Sequence, residues 1–175
     1  MNTYIALFRG INVGGTGILP MKELTAILEK LGCEDVKTYI QSGNVVFKRK
    51  KTDTEKLAKE ISGKVLENKG FAPKVLPLEI KELEKAIENN PFSTEEGKAL
   101  HFFFLDSIPK KPDFEKIELV KGKSEQYKLA EKVFYLYAPE GVGNSKLASS
   151  VEKCLGVPAT ARNWNTVSKL ISMVK

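Results

Sequence analysis

The chain has 175 residues, of which 42% are hydrophobic, and this excludes a disordered chain and allows one domain or two small ones with a real core. No run approaches the roughly 20 apolar residues of a membrane span, and the residues after Met1 lack the charged start of a signal peptide. We therefore expect a cytoplasmic protein with no membrane partner. The net charge of +6 and the pI near 9.2 favour anionic partners, which include phosphates and nucleic acid.

The first half of the chain predicts the element order strand-helix-strand-strand-helix-strand, which is that of a ferredoxin-like unit. The pattern gives, in order, a strand at 3–9, a helix from Pro20 to Gly32, strands at 36–40 and 45–47, a helix that starts at the capping box 52–55 and ends near Gly70, and a strand at 74–78. Tyr4 and Phe8 share one face of the first strand. We predict a ferredoxin-like subdomain over residues 1–78.

The second half predicts a looser version of the same plan over residues 79–175. Its elements are a helix at 79–90, a buried strand at 100–105, an ambiguous charged segment at 109–118 with room for one short helix, a hairpin over 127–137, a helix from 144 to 155, and a last helix after Asn163. The predicted fold class is α+β, with the ferredoxin-like half packed on this second α/β half and its C-terminal helices as one compact unit.

Arginine is used sparingly, because only three of the 28 basic residues are arginine. Arg49 lies in the basic run 48–51, which is typical of a solvated strand end. Arg9 and Arg162 stand instead among apolar and asparagine residues, where a planar, bidentate donor suits a bound anion. The alternative for both residues is a buried structural salt bridge.

Four polar or glycine-rich blocks stand where predicted core elements end. With their flanks they read LFRGINVGG over 7–15, TYIQSGNVVF over 38–47, GVGNSKL over 141–147 and ATARNWNTV over 159–167. In order and from end to end, these blocks closely resemble the signature blocks of a bacterial family catalogued as domain of unknown function 1697. The resemblance implies an α+β protein with ferredoxin-like subdomains. It implies no activity, substrate or catalytic residue.

The candidate ligand-binding residues are polar and glycine positions of these four blocks. They are Arg9, Asn12, Gly14, Gly15, Gln41, Ser42, Asn44, Ser145, Lys146, Arg162, Asn163 and Trp164. Glycines allow a close backbone approach, the helix start at Lys146 suits a phosphate or carboxylate, and Trp164 offers a stacking surface beside Arg162.

Each block also has a purely architectural interpretation. Ser145 or Asn144 is then a helix cap, and Asn163 is a second cap beside a packed Trp164. In this interpretation residues 41–44 are the residue types that a tight turn requires, and the Asn12 side chain forms hydrogen bonds with the backbone of an irregular loop.

Metal and nucleophile chemistry find no support in the residue pattern. His101 begins an apolar strand, and the two cysteines, Cys33 and Cys154, lack any ligand spacing, so we expect structural roles for all three and no metal. Ser42 does not sit in a nucleophile elbow. The catalytic residues, the cofactor and the oligomeric state are left unassigned.

Three classes of function remain. The favoured one is binding, or turnover, of a phosphate-bearing small molecule such as a nucleotide, with Arg9, Asn12, Lys146 and Arg162 converging on one cleft between the halves. The second is nucleic-acid binding on a ferredoxin-like sheet. The third is a non-catalytic protein-interaction module in which the signature blocks are architectural.

Overall fold

Eight strands and six helices build two four-stranded antiparallel sheets in the computed structural model, which describes residues 1–175. The fold class is α+β, as predicted. The chain divides into two compact units. Unit 1 comprises Met1–Lys85 and Leu170–Lys175, and unit 2 comprises Ala86–Lys169.

Unit 1 holds the first sheet, whose strands lie in the order β2-β3-β1-β4 with every neighbouring pair antiparallel. The elements are β1 (Asn2–Arg9), α1 (Met21–Lys30), β2 (Glu34–Tyr39), β3 (Asn44–Arg49), α2 (Thr54–Lys69), β4 (Lys74–Glu79) and α3 (Ile80–Glu88), the last of which crosses the boundary between the units.

The alternation of β1 fixes which of its side chains enter the core of unit 1. Tyr4 and Phe8 are completely buried in one cluster with the apolar positions of α1 and α2, such as Leu24 and Ile61. The Tyr4 hydroxyl donates to the Thr52 carbonyl oxygen and accepts from the Thr52 amide, so its polar end is satisfied inside the core. This arrangement aligns β1 beneath both helices and leaves its carboxyl end to carry the first glycine-rich block.

Side-chain and glycine caps set the ends of the helices in unit 1. Asp53 is the N-cap of α2 and accepts a hydrogen bond from the Lys56 amide at 3.1 Å, and Gly70 closes the helix in the left-handed conformation. At the start of α1 the cap position falls on Pro20, which has no side-chain cap bond to offer.

Unit 2 repeats the same sequence of elements and the same strand order, β6-β7-β5-β8, again fully antiparallel. Its elements are β5 (Leu100–Leu105), α4 (Phe114–Val120), β6 (Gln126–Ala130), β7 (Val133–Tyr137), α5 (Lys146–Leu155), β8 (Ala159–Asn163) and α6 (Trp164–Val174), of which α6 passes into unit 1 at Leu170. Phe103 and Leu105 pack with α4 and α5 on one face of the sheet. Phe102 lies on the other face and meets Tyr135 edge to face at 4.9 Å.

Two expectations from the sequence need correction. The sequence pattern does not predict β8, which is a short edge strand paired to β5 from Ala159 to Asn163. The prediction of Arg49 as a solvated strand end is also wrong, because its guanidinium lies 2.6 Å from Glu60 of α2 and only 17% of its side chain is exposed. One residue of the basic run 48–51 therefore forms a structural ion pair.

Candidate functional site

The first block forms a small hairpin after β1 rather than an open loop. Gly14 and Gly15 both have positive φ, as a type I′ turn requires, and the backbones of Val13 and Thr16 bridge to each other on either side. The Asn12 amide donates to the Gly17 carbonyl at 2.8 Å and extends the hairpin. The glycines are explained by this turn.

Asn12 joins three segments of backbone through its side chain. Its amide nitrogen donates to the carbonyl oxygens of Leu19, at 2.9 Å, and Gln41, at 2.8 Å, while its oxygen accepts from the Leu19 amide at 2.7 Å. Both amide hydrogens are therefore used inside the chain, and the geometry supports the architectural interpretation of Asn12.

The second block, residues 41–44, comprises the turn between β2 and β3 and the first residue of β3, and it lies against the first block. Phe8 donates its amide to the Gly43 carbonyl at 2.8 Å. Asn44 is fully buried, and its side chain donates to the Tyr39 carbonyl and to the Ser42 hydroxyl. The structure thus brings two of the four blocks together, and we call residues 10–19 and 40–44 the apical loop cluster. Arg9 ends β1 beside the cluster, and its side chain is exposed.

The third block contains the start of α5 and the residues before it. Ser145 is the N-cap, and its hydroxyl accepts from the Ala148 amide at 3.0 Å, so the capping interpretation is confirmed. Lys146 is the first residue of the helix and is exposed. Because β7 ends opposite the start of β5, this helix start lies at the same end of the sheet as the end of β8.

The fourth block turns directly from β8 into α6. The Asn163 side chain accepts a hydrogen bond from the Thr166 amide at 3.0 Å, which is the geometry of an N-cap. Trp164 follows and packs with its ring centroid 5.9 Å from that of Phe102. We call residues 160–164 the β8–α6 corner.

Arg162 and Thr160 point to the same face of the second sheet, because residues two apart in a strand do so. Arg162 lies opposite Phe102, and Thr160 lies opposite Phe104. Burial lowers the pKa of the Arg162 guanidinium to about 10. One guanidinium nitrogen donates to the Ala161 carbonyl at 2.8 Å. The cation therefore sits on an aromatic face that stabilises its charge less well than water does.

Thr160 is a polar residue of this corner that the sequence did not single out. It is 1% exposed, and its hydroxyl oxygen is buried without a hydrogen-bond partner. The sequence could not predict the burial of this hydroxyl, because its burial depends on which residues of other elements cover the strand. The orphaned hydroxyl and the desolvated guanidinium share one face two residues apart.

The remaining titratable groups have structural explanations. Burial lowers the pKa of His101, and a hydrogen bond with the Ala99 backbone partly opposes this effect. Its Nδ1 atom is buried without a hydrogen-bond partner. Both cysteines are buried free thiols, and burial raises the pKa of Cys33 to about 11, so neither is poised as a thiolate. No three His, Cys, Asp or Glu side chains group as a metal site would need.

The candidate residues therefore fall into two sets. Arg9, Asn12, Gly14, Gly15, Gln41, Ser42 and Asn44 belong to unit 1, whereas Ser145, Lys146, Arg162, Asn163 and Trp164 belong to unit 2. Asn12, Asn44, Ser145 and Asn163 all serve turns or caps, and burial lowers the pKa of Arg162 to about 10. None of the six helices has the length and apolar character that crossing a membrane requires.

These features define a two-unit α+β protein with polar blocks at the strand ends and without a visible catalytic set. The chain belongs to the family described as protein of unknown function DUF1697, whose model matches residues 1–135. A similar solved structure is that of a conserved bacterial protein from Streptococcus pneumoniae, with a TM-score of 0.70 and 26% identity over 99% of each chain. No curated protein matches the sequence.

Proposed function

We propose that the protein binds a small phosphate-bearing molecule at the β8–α6 corner, with Arg162 as the anion ligand and Trp164 as the apolar wall beside it. The observation that carries the proposal is the position of the half-buried Arg162 opposite Phe102 and beside Trp164, where burial lowers the pKa of its guanidinium to about 10. A bound phosphate would offset that cost with charge-assisted, bidentate hydrogen bonds.

We also assign the ferredoxin-like plan to each unit. The support is the element order β-α-β-β-α-β in both units together with the same antiparallel strand order. On this assignment the β8–α6 corner lies where the last strand of the second plan ends.

The nucleic-acid alternative loses its main support. Tyr4 and Phe8, which would have to offer stacking surfaces, are at most 1% exposed, and so is Phe102 of the second sheet. Stacking of bases needs aromatic faces that are open to solvent. A small phosphate ligand makes no such demand.

The test is a thermal-shift series with nucleotides, pyrophosphate and sugar phosphates, each compared with its unphosphorylated counterpart. A ligand at about 100 times its Kd adds roughly 2.7 kcal/mol of stability, which in a chain of this size raises Tm by about 5–10 °C. Arg162→Lys keeps the charge but loses the bidentate fork, so the ligand-induced rise should fall to a small fraction.

Arg49→Lys is the matched control, because Arg49 lies in unit 1 and is paired with Glu60. This variant should start from a lower Tm and yet show the full ligand-induced rise. Trp164 is the only tryptophan, so its fluorescence should change on binding. The proposal fails if no phosphate shifts the wild type, or if Arg162→Lys responds as the wild type does.

A further inference from the structure

A second feature lies in unit 1, which holds none of the residues of the proposed phosphate site. Three aliphatic side chains of the apical loop cluster are exposed: Val13 by 61%, Ile18 by 58% and Ile40 by 51%. Each is the chain neighbour of a residue that the Asn12 side chain joins, namely Asn12 itself, Leu19 and Gln41. The three therefore stand on backbone segments that the Asn12 hydrogen bonds hold together, and we take them as one apolar patch.

The backbone that presents this patch is tightly packed. A Cβ atom on Gly17 would come within 2.5 Å of the Gly10 carbonyl oxygen, and one on Gly43 within 2.6 Å of side-chain atoms of both Phe8 and Ile11. Together with the hydrogen bonds of Asn12, this close packing fixes where the three side chains stand. Val and Ile are also stiff about χ1, so little side-chain entropy is lost when a partner covers them.

Ile40 adds a cost that folding does not require. Its φ is +52°, a left-handed conformation that is a genuine outlier for a β-branched residue. Asn or Gly fits this conformation more easily, and neither would leave an aliphatic side chain half exposed at a loop tip. Strain retained at an exposed position points to a role in recognition.

The charges around the patch decide between possible occupants. The cluster itself carries no charged residue, and its flanks hold Arg9, Lys22 and Lys37 against one acidic residue, Glu23, which pairs with Lys69 at 2.7 Å. A two-fold dimer through this patch would set like charges against one another, which disfavours a second copy. The cluster has no aromatic residue, whereas loops that enter a membrane interface are rich in Trp and Tyr.

We propose that the Val13–Ile18–Ile40 patch is a docking surface for another protein, and that the partner offers an aliphatic segment flanked by acidic side chains. The aliphatic side chains of the partner cover the patch, and its carboxylates face the basic flanks. This surface is independent of the phosphate site, so either proposal can fail without the other.

The probe is a short peptide that alternates leucine and glutamate, compared with the peptide in which lysine replaces each glutamate. The acidic peptide should shift the backbone amide NMR signals of the apical loop cluster and bind at least about tenfold more tightly than the basic one. Ile18→Ser should abolish most of this binding. Leu119→Ser should leave it unchanged, since Leu119 is 84% exposed but lies on α4 of unit 2.

Ile40→Asn gives a second, independent test. Asparagine tolerates the left-handed conformation, so this variant should melt at a higher temperature than the wild type and yet bind the acidic peptide less tightly. A purely structural loop would not show these opposite changes.

Several results would overturn the proposal. They are equal binding of the two peptides, shifts outside the cluster only, unchanged binding by Ile18→Ser, or loss of binding in Leu119→Ser. Self-association of the chain that Ile18→Ser removes would assign the patch to a second copy. Binding to phosphatidylserine vesicles that Ile18→Ser removes would assign it to a membrane surface.

Discussion

Gly43 shows how one residue holds the apical loop cluster together. It combines a φ of +87° with a position where a Cβ atom would come 2.6 Å from atoms of both Phe8 and Ile11. Glycine is needed here for two separate reasons, the backbone conformation and the space. The same turn contains Asn44, which is fully buried and bonded to Tyr39 and Ser42. The sequence block 41–44 is thus accounted for by packing.

We predict that Gly43→Ala destabilises the protein by about 2–4 kcal/mol, because left-handed strain and overpacking act together. Gly14→Ala is the matched control: its φ is also positive, but a Cβ atom there would meet nothing within 4 Å. The control should lose only about 1–2 kcal/mol, which is the cost of the conformation alone. Urea unfolding measures both losses, and equal losses would contradict the crowding that the structure shows.

At the scale of single residues, the chemistry of most candidate positions was predictable from the sequence, whereas their structural or functional role was not. Asn12, Ser145 and Asn163 each had a structural and a ligand-binding interpretation, and only the hydrogen-bond partners decided between them. The pairing of Arg49 with Glu60 and the burial of Thr160 depend on neighbours distant in the chain. No local pattern encodes such contacts.

At the scale of elements, helix ends were predictable because caps are local. The closing glycines at positions 70 and 156 and the helix that starts near 145 appear in the structure, and α2 starts where the capping box at 52–55 predicts, although Asp53 rather than Thr52 caps it. The strand β8 was not predictable, since Ala159–Asn163 contains a single β-branched residue and no aromatic. Pairing with β5 overrides that weak local preference.

Replacement of the α5 cap tests this local control. Ser145 is 8% exposed, so Ser145→Ala leaves the Ala148 amide without its partner near the protein interior and should cost about 1–2 kcal/mol. Ser145→Gly should cost only a few tenths, because glycine allows water and the backbone to serve the cap. Unfolding by urea distinguishes the two variants. If both lose the same amount, the Ser145 hydroxyl is not what caps the helix.

At the scale of the whole molecule, the two units share one plan of strands and helices although their sequences show no residue-level repeat. In both units the third and first strands lie at the centre of the sheet, and the second and fourth form its edges. The two units differ in the loop that follows the first strand. The strand β1 is followed by the glycine-rich hairpin with its apolar patch, whereas β5 is followed by the segment before α4. The same arrangement of strands and helices therefore supports different loops in the two units, and we expect the two units to have different binding roles.

The net charge of +6 bears on the last prediction, which concerns nucleic acid. Because Tyr4 and Phe8 of the first sheet and Phe102 of the second are buried, we expect any binding of single-stranded DNA to be electrostatic only. We predict weak binding of an oligothymidine at low salt that is lost by about 200 mM NaCl.

Heparin, an anionic polymer without bases, should behave in the same way and serves as the control. Any change in Trp164 fluorescence with the oligothymidine should disappear at the same salt concentration, because the ring packs with Phe102 and the contact is with phosphates rather than bases. Salt-resistant binding of the oligothymidine that quenches Trp164, and that heparin does not reproduce, would instead establish base stacking and restore nucleic-acid binding as the function.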